Sequence, residues 1–436
     1  MNRILGRILV ISIFIIGLSV GAPDDRVVSA SEVETIIRAG EPAEFDDCTI
    51  VGDLNLSGLK LEGPVRFNHT NFQNSVNFNH TIFNDTAYFN GSVFNHTAYF
   101  MGSVFNGTAY FPESYFSGDA CFWESVLNGF GNFQDSYFNS DADFRKSAFN
   151  YGFGYSIYFG GSDFNGESYF RDAVFNGTAN FGSSVFNDDA HFVNSVFNRS
   201  AIFGVSVFNG KSYFGNSVFN GTADFYGSVF DDTADFMDTV YNEDAWFQNS
   251  VFNGEAYFFK TYFNGDADFE DSVFNGDNVL WPQTINGSAS ISSIFNGNVD
   301  FRYSVFKDNV DFEMSVFNGD ACFKHSIFNS TVSFYENSFE KEANFNDVVF
   351  RGKTSFNDSW FKDDALFWNT AFLGELNLSR TRYEKLYIRW HDINGSLVYD
   401  DAAYMSLMKN FQNLGYFEDY EDCYSQYMRE HGNLTV

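Results

Sequence analysis

The 436 residues carry 57 acidic against 25 basic side chains, a formal net charge of −32, together with 58 phenylalanines and only 5 prolines. A chain this acidic is a poor partner for nucleic acid or anionic lipid. No ordinary globular domain uses Phe so heavily, so the composition points to a repeat rather than to the two or three domains that length alone suggests.

In chain order, Arg3 and Arg7 precede an apolar run from Ile8 to Val20. A charged segment followed by so short an apolar stretch reads as an export signal over residues 1–30, either cleaved or kept as an uncleaved anchor. Val28-Ser29-Ala30 offers a cleavage site and Gly21-Ala22 a weaker one, since Pro23 follows it. Residues 31–44 come next. Ser31 to Ala39, closed by Gly40, reads as a short N-terminal cap helix with a Ser31/Glu34 capping box.

From Phe45 the aromatic residues keep a beat. Phe89, Phe94, Phe100, Phe105, Phe111, Phe116 and Phe122 are spaced alternately by five and six, so the repeat is eleven residues, with consensus A-x-F-x-x-S-V-F-N-G-x. Such steps do not suit a helix of period 3.6. Within each unit a small residue and a Phe flank a variable one, the period-two alternation of a very short strand with two side chains in and one out. Asn-Gly after each second Phe suggests the backbone freedom of a corner. Strand, corner, strand, corner winds into a coil of four sides and about 22 residues, and about fifteen such coils at the strand spacing give a rod near 70 Å long. A flattened two-sided coil is the rival geometry. The expected fold is an all-β solenoid over residues 45–390, a right-handed quadrilateral β-helix.

Two places break the beat. The string between Phe149 and Phe159 runs about four residues over register. Between Phe274 and Phe295 the aromatics give way to Leu280, Ile285 and Ile291, with Trp281-Pro282 among them, and the register is expected to lose one residue. Residues 391–436 form the C-terminal helical cap, a helical hairpin of Asp400 to Asn413 and Phe417 to Arg429, broken at Leu414-Gly415.

The strings ADFRKSAF, ANFGSSVF and ADFYGSVF resemble the A-(D/N)-(L/F)-x-x pattern of the pentapeptide-repeat family, in a Phe-rich variant with alternating spacing. The resemblance covers roughly residues 45–383, and the C-terminal hairpin is similar to that of archaeal-type secreted members. It implies a quadrilateral right-handed β-helix with Phe and the small residue two before it pointing inward. It says little about function, because the family includes DNA mimics that protect gyrase as well as members of no known role.

No Gly-x-Ser-x-Gly, P-loop or paired nucleophile and base is present, the seven histidines are scattered, and coils this regular lack the long loops that carry catalytic acids in other β-helices. The expectation is a protein that is not an enzyme, with no cofactor and no metal site. Candidate surfaces are columns of outward residues that recur once per coil. Tyr169, His191, Tyr213, Asp235 and Tyr257 should share one face, where aromatic rings beside carboxylates suit a sugar polymer; Tyr88 and Tyr110 make a similar pair. Val174, Val196, Val218 and Val240, with Val185, Val207, Val229 and Val251 opposite, hint at self-association. Asp244 and Asp266, with Asp268 close by, could collect Ca²⁺ weakly. Asn-x-Ser/Thr sequons at Asn68, Asn79, Asn84, Asn90, Asn95, Asn106, Asn176, Asn198, Asn220 and Asn286, among others, become glycosylation sites if the chain is exported. The four cysteines, Cys48, Cys121, Cys322 and Cys423, are too far apart to pair and are expected to be free thiols.

The reading that follows is an extracellular or cell-surface scaffold for binding, adhesion or assembly, whose partner is a surface polysaccharide, a protein or a second copy. The alternative is an acidic DNA-mimic inhibitor of a topoisomerase.

Overall fold

A computed structural model describes residues 26–150, 156–275, 278–279 and 293–434. They form a parallel β-solenoid of about 15 turns with helices at both ends. Most strands are two residues long, and each pairs with its equivalent in the next coil, as in Ala201↔Ala223 and Val207↔Val229. The coil has four faces. The first runs from Arg26–Ser29 through Cys48–Val51 to Ala371–Phe372, and the second from Leu54–Asn55 through Ala256–Tyr257 to Leu376–Asn377. The third begins at Lys60–Leu61 and the fourth at Ala43–Glu44; the strand Trp360–Leu366 turns the corner between them unbroken and joins them into one 29-stranded sheet.

The interior explains the repeat. Phe rings one coil apart lie nearly parallel, as in Phe203 on Phe225 (centroids 5.0 Å, 4°), while rings from facing sides meet edge-on, as in Phe203 against Phe214 (5.3 Å, 86°). Both geometries suit the aromatic quadrupole. The small residue two before each Phe is also buried, and most Ser at this position are satisfied by a hydrogen bond to the coil below, Ser212 being an exception. Buried Ser195, Ser206 and Ser228 each donate Oγ–H to a Phe carbonyl 25 residues back, at 2.7 Å. A buried hydroxyl needs such an acceptor, and an Ala column needs none.

The corners differ from the sequence reading. Left-handed backbone falls two residues after the Phe of the Ala-x-Phe units, and mostly on residues other than glycine: Glu113 (φ 56°), Val205 (φ 62°) and Asn249 (φ 58°). The Asn-Gly corners after each second Phe lie outside that region among the described residues. Gly129 is needed there for a different reason, since a Cβ on it would sit 2.0 Å from the Gly107 carbonyl oxygen of the coil below. Close stacking, not positive φ, selects glycine at that position.

The first irregularity is as expected. Pairing across it skips four more positions than in the regular coils, joining Asn132 to Tyr158, and the ring stack of Phe133 on Phe159 is kept at 4.9 Å. The second is not a loss of one residue but a gain of ten. Phe263 stacks on Phe295 at 5.0 Å and Val273 pairs with Val305, each partner ten positions further along the chain than a regular coil would place it. The extra residues fall between Val279 and Ser293, because Val279 still pairs with Asp311. Counting aromatics failed because Phe295 continues the third face and not the position that counting in elevens gives it. Leu280, Trp281, Pro282, Ile285 and Ile291 lie outside the described residues.

Polar side chains close both open ends. Helix α1 (Ala30–Arg38) buries Ala30, Val33 and Ile37 on the first coil. Its Glu34 carboxylate accepts from Asn55 N–H (2.7 Å) and Arg38 donates to Asn55 C=O (2.8 Å), so the edge strand finds both partners in side chains. Glu34 is therefore not half of a capping box; Ser29 is the N-cap and accepts from Glu32 N–H. The strand Arg26–Ser29 pairs with Cys48–Val51, so cleavage after Ala30 would remove a paired strand and the helix cap. The export segment before residue 26 lies outside the described residues.

At the far end, α2 (Trp390–Ile393), α3 (Asp401–Leu414) and α4 (Phe417–Leu434) cover the last coil. Asp400 caps α3 and Gly415 (φ 74°) ends it, close to the expected hairpin, whereas α2 had no sequence signal. Buried Asn410 donates to Leu386 C=O (2.8 Å) and accepts from Leu386 N–H (3.2 Å). Its amide thus stands in for a further strand. Asp419, also buried, accepts from Arg389 Nε and Trp390 N–H, each at 2.8 Å.

Candidate binding faces

The parallel register places every outward residue above its equivalent one coil away, so surface chemistry is organised in columns. On the second face Tyr169, His191, Tyr213, Asp235 and Tyr257 do align. The rings of Tyr169, His191 and Tyr213 stack on one another at 5.0 Å, with interplanar angles of 9° and 8°. They therefore spend their faces on each other and turn edges outward. The Arg145 guanidinium lies 5.2 Å from the Tyr169 ring centroid. It is held by two bonds to Asp143 (2.9 and 2.6 Å).

Carboxylates flank the column. Glu167 accepts from Tyr169 Oη and lies 3.3 Å from His191 Nε2. That hydrogen bond, and then burial, raises the Tyr169 pKa. Burial, with a bond to Glu255, pushes Tyr257 up to about 12. The strip is thus acidic, rigid and rich in phenol edges. Tyr88 and Tyr110 pair on the fourth face at 6.3 Å, with Arg66 4.6 Å from the Tyr88 ring centroid.

The valine columns are also in register, from Val174 to Val240 and from Val185 to Val251. Each Val is half-buried, so each column is a narrow apolar strip. Asp244 and Asp266 stack as expected, but each spends a carboxylate oxygen on the backbone N–H of the next coil, Asp266 (3.0 Å) and Asn298 (2.8 Å) respectively. Asp268 instead joins Glu270 and Asp300. Arg302 bridges Asp300 (2.6 Å) and Glu270 (3.2 Å), which already supplies the positive charge a cation would bring.

The sequence reading missed an amide ladder. Along the corner after the third face, Nδ2 of each Asn donates to Oδ1 of the Asn one coil below, from Asn106 on Asn84 through Asn128, Asn150, Asn176, Asn198, Asn220, Asn242, Asn264 and Asn296 to Asn318. The signal was present as Asn at a fixed place in the repeat, but it was absorbed into the corner and sequon readings. Sequon residues Asn84, Asn106, Asn176, Asn198 and Asn220 belong to the ladder, and Asn95 Nδ2 donates to Asn71 (2.6 Å). Asn90 Nδ2 lies 3.4 Å from His69. Asn68 and Asn79 use their carbonyl oxygens for Asn90 N–H and Met101 N–H, and among the described residues their amide nitrogens have no acceptor. Asn286 lies outside the described residues.

All four thiols are free. Burial raises each of them, Cys121 to about 11 and Cys423 to about 12.

The sequence matches the family described as Pentapeptide repeats (9 copies) over residues 67–114, 159–207, 206–250 and 338–382. These segments carry pentapeptide repeats. The matched segments avoid both register breaks. No curated protein and no solved structure matches the chain. Among the described residues, no helix is long and apolar enough to cross a membrane.

Proposed function

We propose that this protein is an exported, non-enzymatic scaffold, outside the cell or at its surface, that uses its flat faces for binding, adhesion or assembly. The observation that carries the reading is the in-register column from Tyr169 to Tyr257, which sets aromatic edges and carboxylates in line at the strand spacing of about 4.8 Å. A surface polysaccharide or an extended protein offers a matching linear array. The narrow Val columns support lateral self-association as a second use of the same rod.

Cell fractionation with intact-mass measurement tests the reading. The expected result is protein outside the cytosol, either shortened before Arg26 or retained by its N-terminus. Full-length protein in the cytosol would overturn it and favour the topoisomerase-inhibitor alternative. Sedimentation velocity across a concentration series reads the self-association.

A further inference from the structure

On the fourth face the regular surface gives way to a groove of about 530 Å³ lined by Ile202, Gly204, Val205, Asp224, Tyr226, Trp246 and Gln248. It is shallow and open to solvent, a surface groove rather than an enclosed cleft. Parallel register sets Ile202, Asp224 and Trp246 one above another on successive coils. Val205, Tyr226 and Trp246 are exposed by 57%, 50% and 39%.

Val205 departs from what the fold itself favours, and Gly204, above Gly182 and Gly160, keeps the wall beside it bare. Val205 is β-branched yet held at φ 62°, where Asn, Asp or Gly costs far less. Gly204 has no positive φ, and a Cβ on it would meet the Asp224 carboxylate at 3.4 Å, an ordinary contact. Neither backbone nor packing asks for glycine there, and its missing side chain leaves the groove open. Strained choices gather where function constrains a chain.

The polar groups define the occupant. Asp224 Oδ1 accepts from Tyr226 N–H (2.9 Å) and keeps its second oxygen as an acceptor. Gln248 donates Nε2–H to Asp268 (2.6 Å), and its buried Oε1 is left as an acceptor that has no partner among the described residues. A ligand must therefore bring hydrogen-bond donors together with an apolar surface for Trp246, Tyr226 and Val205, and no negative charge. A neutral sugar ring has hydroxyl donors around its rim and a C–H face. A quaternary ammonium has no donor for Gln248.

We propose that this groove is a binding site for a neutral saccharide. The assignment rests on the reading of the rod as a binding scaffold and gives that reading a ligand class and a location. The test uses purified full-length chain, so its outcome is separate from that of cell fractionation. Cellohexaose, maltohexaose, mannohexaose and chitohexaose are titrated by tryptophan fluorescence and saturation-transfer NMR. At least one is expected to bind in the micromolar to millimolar range. W246A should weaken it at least about tenfold. G204Q should do the same while hydrogen-exchange protection of the Phe181 and Phe203 amides stays unchanged, which keeps the test independent of folding. Absence of binding by all four at millimolar concentration, binding unaffected by both variants, preference for choline, or a dimer that W246A dissociates would each overturn the proposal.

Discussion

Truncating Phe203 tests the architecture most directly. The ring is fully buried, stacked on Phe181 and Phe225 at 5.0 Å each and met edge-on by Phe192 (5.2 Å) and Phe214 (5.3 Å). Burying it is worth about 2–3 kcal/mol, and the hole left among rings fixed by their own stacks brings the cost of Phe203→Ala to about 3–5 kcal/mol. Its neighbour Ile202 is only half-buried, so Ile202→Ser should cost under about 1 kcal/mol. Stacked coils unfold in parts, so a single melting temperature is a poor gauge of either change. Native-state hydrogen exchange is the better one, read at the Phe181 amide, which donates to Ile202 C=O, and the Phe203 amide, which donates to Asp224 C=O. Phe203→Ala should lower protection there by about two to three and a half orders of magnitude, at about 1.4 kcal/mol per tenfold, and Ile202→Ser by less than one. Equal losses in the two variants would refute the assignment of inward and outward residues.

Four further outcomes follow from local geometry. Ser212 is buried between Ala190 and Ala234 with no partner for its hydroxyl among the described residues, so Ser212→Ala should stabilise by about 1 kcal/mol in urea titration. Burial, aided by the nearby Glu313 carboxylate, pushes Asp311 up to about 7. With an unfolded value near about 3.9, the folded chain holds that proton more tightly, so this group's penalty is absent below about pH 4 and complete above about pH 7. Asp311→Asn should therefore stabilise at about pH 8 by at least ~1 kcal/mol and leave stability near pH 4 unchanged, as read by paired urea titrations. Asn410→Ala strands both backbone groups of Leu386 and should cost about 2–3 kcal/mol, seen as faster proteolysis at the α3–α4 cap. If the chain is glycosylated, peptide mapping should find glycan on Asn68 and Asn79 ahead of ladder residues such as Asn198 and Asn220, whose nitrogens are already engaged.

The four-sided coil could be read from the sequence because one physical demand repeats in every unit: a large ring and a small residue inside, one variable residue outside. That demand is local, so Phe spacing alone revealed it. Three features were hidden for a shared reason. Which corner turns left-handed, why Gly129 must be glycine, and how Asn198 meets Asn220 all depend on the coil above or below, a relation across a whole turn of chain that composition does not display. The ten-residue gain before Ser293 was misread because Phe295 imitates the beat of a position it does not occupy. The groove at Val205 escaped notice because its members, from Ile202 to Gln248, come from three successive coils and from different places in the repeat.

The two register breaks add four and ten residues, yet ring stacks on either side keep spacings of 4.9 and 5.0 Å. Each break therefore acts as an insulated port, transmitting no shift to the walls on either side. Duplication or deletion of one full turn would likewise leave every junction identical to those already present. In such a molecule length is an almost free variable: a lineage could tune the reach of the rod by whole turns, and an engineer could graft a foreign peptide at either port, while the groove and its neighbours kept their shape.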